Sequence, residues 1–255
     1  NLSLPGFALV TVAFGWLLGL IGVRLMGYRD DRKRCFLFQS MFNNFVFMVL
    51  PFAVLFIPGR GAGLLFIHNL GMILALWTVG VPILQGENRA RPAERLTSLL
   101  TNPGIIATVS AMILVVSGLN TRLPKLAVTT LETLGAPTMA IAMMAAGSRI
   151  AGMGLGALRF DLWNMLLAFI RLLFLPLVLL GLAMAAWSAG LAGSETLIIF
   201  TLVNIVPVGV FSVSLANRFG SSPELMAQSV TVTHIIGAVS MIIWLLLMQK
   251  LPFFP

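Results

Sequence analysis

Apolar runs of helix-spanning length recur from one end of this chain to the other, and they decide what it can fold into. Crossing about 30 Å of hydrocarbon takes about 20 helical residues, and Pro5 to Gly27 is the first of many stretches that qualify. That first stretch is too long and too apolar for the core of a signal peptide. Runs such as Leu172 to Ala186 do not alternate apolar with polar residues, as the strands of a transmembrane barrel must. Only 9% of the 255 residues are charged and 59% are hydrophobic. A soluble domain carries roughly a quarter charged residues, so most of this surface faces something other than water. The expected class is an all-α integral membrane protein.

The runs predict about eight transmembrane helices, at about 5–27, 36–57, 62–85, 103–119, 126–150, 160–187, 195–216 and 225–249. The fourth reaches back through Thr97 to Leu100 if Pro103 kinks it rather than starts it. Basic residues in short loops set orientation. Eleven fall on one side: Arg24, Arg29, Arg32, Lys33, Arg34, Arg89, Arg91, Arg95, Arg149, Arg159 and Arg218. Four fall on the other: Arg60, Arg122, Lys125 and Lys250. The first side is expected to be cytoplasmic, in a cell membrane such as the bacterial inner membrane, with both ends of the displayed chain outside.

The net charge of +8 thus reports topology. The basic residues form no tract with interleaved aromatics, so nucleic acid is not an expected partner. Cys35 is the single cysteine and the two histidines lie in separate apolar runs, which argues against a disulfide framework and a metal centre. The loops are too short for a soluble catalytic domain. No phosphate-cradling loop or nucleophile–base set is visible, so neither an enzyme nor an ATP-driven pump is expected, and no cofactor.

Two predicted helices carry polar residues and proline near their middles. The second reads Phe42-Asn43-Asn44-Phe45-Val46-Phe47-Met48-Val49-Leu50-Pro51 and the seventh Asn204-Ile205-Val206-Pro207-Val208-Gly209-Val210-Phe211. Proline removes a backbone donor and frees a carbonyl a turn earlier, and in hydrocarbon that carbonyl needs another partner. Broken helices that cross in opposite directions point to an inverted-repeat transporter with a midplane site. Two ordinary kinked helices would give the same pattern.

These segments resemble the auxin efflux carrier family, which includes plant auxin exporters and bacterial permeases for small carboxylates. Asn44 to Pro51 is similar to the bacterial pattern Asn-Thr-Gly-Phe-x-Gly-Leu-Pro, with Val46 and Val49 in place of its glycines. Asn102-Pro103-Gly104-Ile105-Ile106 resembles the start of the family's sixth helix, and Arg171 with Pro176 its eighth. Pro207-Val208-Gly209-Val210, followed by Leu215, Ala216 and Phe219, resembles its ninth, with Phe211 where many bacterial members carry a second Asn.

The resemblance implies ten helices in two inverted repeats of five, whose fourth members cross near the membrane centre. Residues 1–85 would then be three helices of the first repeat and 86–255 the complete second. About 60 residues forming two more helices are expected before Asn1, packing around Gly135, Ala136 and Gly147. The implied function is a secondary carrier of a small organic anion, such as a mono- or dicarboxylate, working by alternating access. The substrate-binding residues implied are Asn43, Asn44, Pro51, Asn204, Pro207, Gly209 and Phe211. A channel, a non-transporting sensor and a Na⁺-coupled bile-acid-type symporter are the rival readings. The last would need acidic or hydroxyl-rich ligands at the crossing, where no carboxylate lies.

Four further polar groups sit inside apolar runs. Arg171 lies about 16 Å along its helix, too deep to reach water easily, and it needs a carboxylate, carbonyls freed near Pro176, or an anionic ligand. His68 with Asn69, and His234, read either as helix-packing hydrogen bonds or as proton-coupling groups. The expected partners are therefore a small organic anion and membrane lipid, with a second copy of the chain as a candidate homodimer partner.

Overall fold

A computed structural model describes residues 3–86, 103–137 and 159–254, together with positions 97, 100, 101, 140, 141, 144, 148 and 152. Among the described residues four helices are long and apolar enough to cross a membrane: α1 (Leu4–Met26), α4 (Gly61–Gln85), α7 (Leu162–Ser188) and α10 (Pro223–Met248). The second expected span is a pair, α2 (Asp30–Met41) and α3 (Val49–Phe56), and the seventh is α8 (Ser194–Asn204) and α9 (Phe211–Phe219). Between α4 and α7 stand α5 (Pro103–Val116) and α6 (Lys125–Gly135), both shorter than a full span. Most of the remainder of the expected fifth span, with Gly147, lies outside the described residues, as do Asn102 and the basic residues Arg89, Arg91, Arg95 and Arg149.

Long helices with proline inside them stay continuous through a local change of winding. In α7 the turn Ile170–Phe174 is π-helical, and the Leu175 amide donates to the Ile170 carbonyl, just before Pro176. In α4 the turn Leu76–Gly80 does the same, with Val81 donating to Leu76 just before Pro82. Widening the turn absorbs the donor that proline lacks.

The helices group into two sets of four that share a contact pattern. In the first, α1 packs on α2 and α4, and α3 packs on α4. In the second, α7 packs on α8 and α10, and α9 packs on α10. The sets interlock through α8, which touches α1, α3 and α4. By contrast α6 buries no residue, and Leu126, Leu131 and Leu134 are all exposed. Nothing among the described residues lies within 4 Å of where a side chain on Gly135 would start.

Glycine brings α1 onto α2. A Cβ on Gly15 would stand 2.5 Å from the Ser40 carbonyl oxygen and 2.9 Å from Met41 Cα, both backbone atoms that cannot step aside. Gly15→Ala is therefore expected to cost about 1–3 kcal/mol through overpacking. Gly6, whose side-chain position is open, provides the control. Thermal unfolding in detergent should show Gly15→Ala melting well below wild type and Gly6→Ala unchanged.

Candidate functional site

Both breaks lie where the residues favour leaving the helix. Asn43 and Asn44 compete for backbone hydrogen bonds with their own side chains, and Pro207 cannot donate one. Asn43 pairs with Val208 in an isolated antiparallel bridge. On either side of it the Asn44 amide donates to the Pro207 carbonyl at 2.8 Å and the Gly209 amide to the Phe42 carbonyl at 3.2 Å. Two turns of missing helix thus satisfy each other. Gly209 is needed at this point, since a Cβ there would stand 2.8 Å from the Asn43 carbonyl oxygen.

Pro207 frees the Val203 carbonyl four residues earlier, and that carbonyl accepts from Asn43 Nδ2. Asn204 Nδ2 donates to the Phe200 carbonyl at 2.7 Å and to Thr11 Oγ1 of α1 at 3.1 Å. Gln39 Nε2 donates to the Met226 carbonyl at 3.0 Å and reaches Ser212 Oγ at 3.4 Å. Backbone carbonyls can only accept, so these three amides are fixed in orientation. Their oxygens, Asn43 Oδ1, Asn204 Oδ1 and Gln39 Oε1, are buried and face no donor among the described residues. The fourth amide is different. Asn44 Nδ2 stands 3.5 Å from His234 Nε2, at the limit of hydrogen-bond reach, while His234 Nδ1 lies 2.8 Å from the Val230 carbonyl.

Arg171 is fully buried beside this crossing. Its Nη1 donates to the Ser40 carbonyl at 3.3 Å. An unbroken α2 would have given that carbonyl to the Asn44 amide, which is spent on Pro207. The guanidinium therefore caps the broken end of α2. It does not reach the carbonyl freed by Pro176, which belongs to Leu172 and is taken by Trp244 Nε1 at 2.7 Å and Ser240 Oγ at 3.2 Å. That removes the carbonyls freed near Pro176 as its structural partner. Arg171 Nε and Nη2 have no partner among the described residues.

The remaining predicted positions divide. Phe211 opens α9, with its ring against Phe45 and Phe38. Pro51 is not at the break: it sits in the first turn of α3, where proline is tolerated, and it lines an apolar recess of about 370 Å³ between α3 and α10 with Met48, Phe52 and Met241. His68 and Asn69 are buried on α4, and neither makes a hydrogen bond to the crossing.

Compared with known proteins, a family model described as membrane transport protein matches residues 2–245. The chain belongs to that family. This is the auxin efflux carrier family whose motifs the broken segments resemble, and the match spans both of them. Comparison with curated proteins finds no match, and comparison with solved structures finds none. In this membrane transport protein Thr11, Gln39, Ser40 and Ser212 also shape the crossing. No periodicity or motif marks them, since lone hydroxyls and amides within apolar runs are read as packing.

The three asparagine amides should respond differently to truncation. Asn43→Ala leaves the Val203 carbonyl buried and unpaired, which costs about 1–3 kcal/mol, and Asn204→Ala should also destabilise by losing its tie to Thr11 of α1. Asn44→Ala loses only a long contact and should melt near wild type. Equal losses at all three positions would contradict this division.

Proposed function

We propose that this chain is a secondary carrier of a small organic anion, a mono- or dicarboxylate, with alternating access around the crossing of its two broken helices. The observation that carries the reading is Arg171. A buried charge without a partner is held at a penalty of several kcal/mol, so a group that stays charged in the interior needs a counter-charge. The described carboxylates, Asp30, Asp31, Glu132, Asp161, Glu195 and Glu224, all lie near helix ends away from the crossing.

The helix ends at the crossing do not compensate it. The C-termini of α2 and α8 contribute about half a negative charge each and the N-termini of α3 and α9 about half a positive charge each, so the four cancel. What remains is one cation, and the ligand that suits it is a small anion. The adjacent Asn44 amide and the start of α9 supply further polar contact for a carboxylate.

The shared contact pattern of α1–α4 and α7–α10 supports reading the two sets as inverted repeats, with residues 1–85 and 86–255 as the two halves. The uncovered α6, with α5 beside it in sequence, fits a scaffold against which the other helices slide or rock. The basic ends carrying Arg24 to Arg34, Arg159 and Arg218 would lie in the cytoplasm. A carrier exchanges at saturable rates, whereas a channel does not.

The test is counterflow of labelled malonate, succinate and acetate in proteoliposomes. The expected result is uptake stimulated by the same unlabelled anion inside. Arg171→Gln should lower it at least about thirtyfold, the loss that follows from removing one side of a buried charge pair. Flux that is not stimulated from inside, or that survives in Arg171→Gln, would sink the proposal.

A further inference from the structure

We infer that His234 is a proton-binding site whose occupancy turns the Asn44 side chain, so that a proton and the anion bind together. The inference rests on the reading of the crossing as the anion site. The starting point is geometric. The Val230 carbonyl can only accept, so His234 Nδ1 carries the proton that it donates over 2.8 Å. In the neutral ring Nε2 is then an acceptor, and what it meets is the NH₂ of Asn44, 3.5 Å away. A second proton can go only to Nε2. Once there it makes Nε2 a donor facing a donor.

The conflict resolves by a half-turn of the Asn44 amide about its last torsion. Oδ1 then accepts from Nε2–H, and Nδ2 takes the place that Oδ1 held. Asn44 is free to do this because no other hydrogen bond among the described residues holds its side chain, whereas Asn43, Asn204 and Gln39 are each locked by a backbone carbonyl. The turn replaces an acceptor at the crossing by an N–H donor. The other three amides leave acceptor oxygens there, so Asn44 is the one position where a proton converts the site toward a carboxylate. His234 is only part-buried, which leaves a route for the proton.

Charge couples the two ligands in the same sense. α10 packs against α2, α7 and α9. The titratable and charged groups of α2 (Asp30, Asp31, Arg32, Lys33, Arg34 and Cys35), Arg218 of α9 and Glu224 of α10 itself gather at the start of α10. There Ser221 bonds Asp31 Oδ1 at 3.0 Å and Cys35 Sγ lies 3.8 Å from the Ser222 carbonyl. His234 lies ten residues beyond Glu224, about 15 Å along the helix. On α7, Asp161 caps the first turn, and Arg171 is the one charge within the helix, held on Ser40 just before Asn44. A bare Arg171 opposes a second cation at His234, and an anion on Arg171 removes that opposition. By reciprocity the protonated His234 then binds the anion more tightly. The sign follows: anion affinity is high below the His234 midpoint and is lost as pH rises through it.

The test reads His234 directly, by ¹⁵N NMR of the full chain in liposomes with labelled histidine and asparagine. His68→Gln assigns the second histidine and Asn44→Leu assigns the amide. Across about pH 5 to about 9, Nδ1 should keep its proton while Nε2 titrates, and the Asn44 amide signals should move with the same midpoint. Malonate should raise that midpoint by about one unit, the tenfold by which protonation tightens anion binding. An Nε2 that never titrates, or one that titrates while Asn44 stays still, overturns the switch. A midpoint that ignores malonate while malonate counterflow proceeds overturns the coupling and leaves the carrier reading intact. Absence of counterflow for every carboxylate counts against the carrier reading alone, because the paired titration of His234 and Asn44 needs no anion.

Discussion

A helix broken in hydrocarbon leaves amides and carbonyls that water cannot satisfy, and everything at the centre of this protein follows from how two such breaks are reconciled. They are placed against each other. Asn44 and Gly209 donate across the bridge to Pro207 and Phe42, and the carbonyl freed by Pro207 is met by the Asn43 side chain. Neither segment could be interrupted alone without several unpaired backbone groups. Glycine at position 209, and at position 15 where α1 meets the end of α2, lets the backbones come close enough.

The backbone at the broken end of α2 is reconciled differently, by a charge. The Ser40 carbonyl loses its amide to the bridge and receives a guanidinium in its place. A neutral donor would have been enough to cap one carbonyl. A full charge there leaves two donor nitrogens of Arg171 without a partner among the described residues. Elsewhere the chain solves the same problem with neutral groups, as Trp244 and Ser240 do for the carbonyl freed by Pro176. The contrast between these two solutions is what gives Arg171 its weight.

Much of this was legible in the sequence, for identifiable reasons. Long apolar runs fix the helices because hydrocarbon admits little else, and Pro207 marks its break because a missing donor is absolute. Pro51 misled on position, since proline in a first turn of helix breaks nothing; the break before it comes from Asn43 and Asn44. The sequence offers Asn43 and Asn204 as ligand groups, whereas in the structure their nitrogens are committed to Val203, Phe200 and Thr11. Which atom of an amide is spent depends on partners far away in the chain, and no local pattern encodes that.

The central claim is that Arg171 is held for an anion rather than for the fold, and thermal unfolding of wild type and Arg171→Gln with and without malonate tests it most directly. Gln retains a donor for the Ser40 carbonyl and removes the uncompensated charge. The account predicts that Arg171→Gln melts at or above the wild-type temperature without anion and gains nothing from malonate, whereas wild type gains several degrees. A variant that melts well below wild type and is still stabilised by malonate would show that Arg171 serves the structure, and would contradict the account.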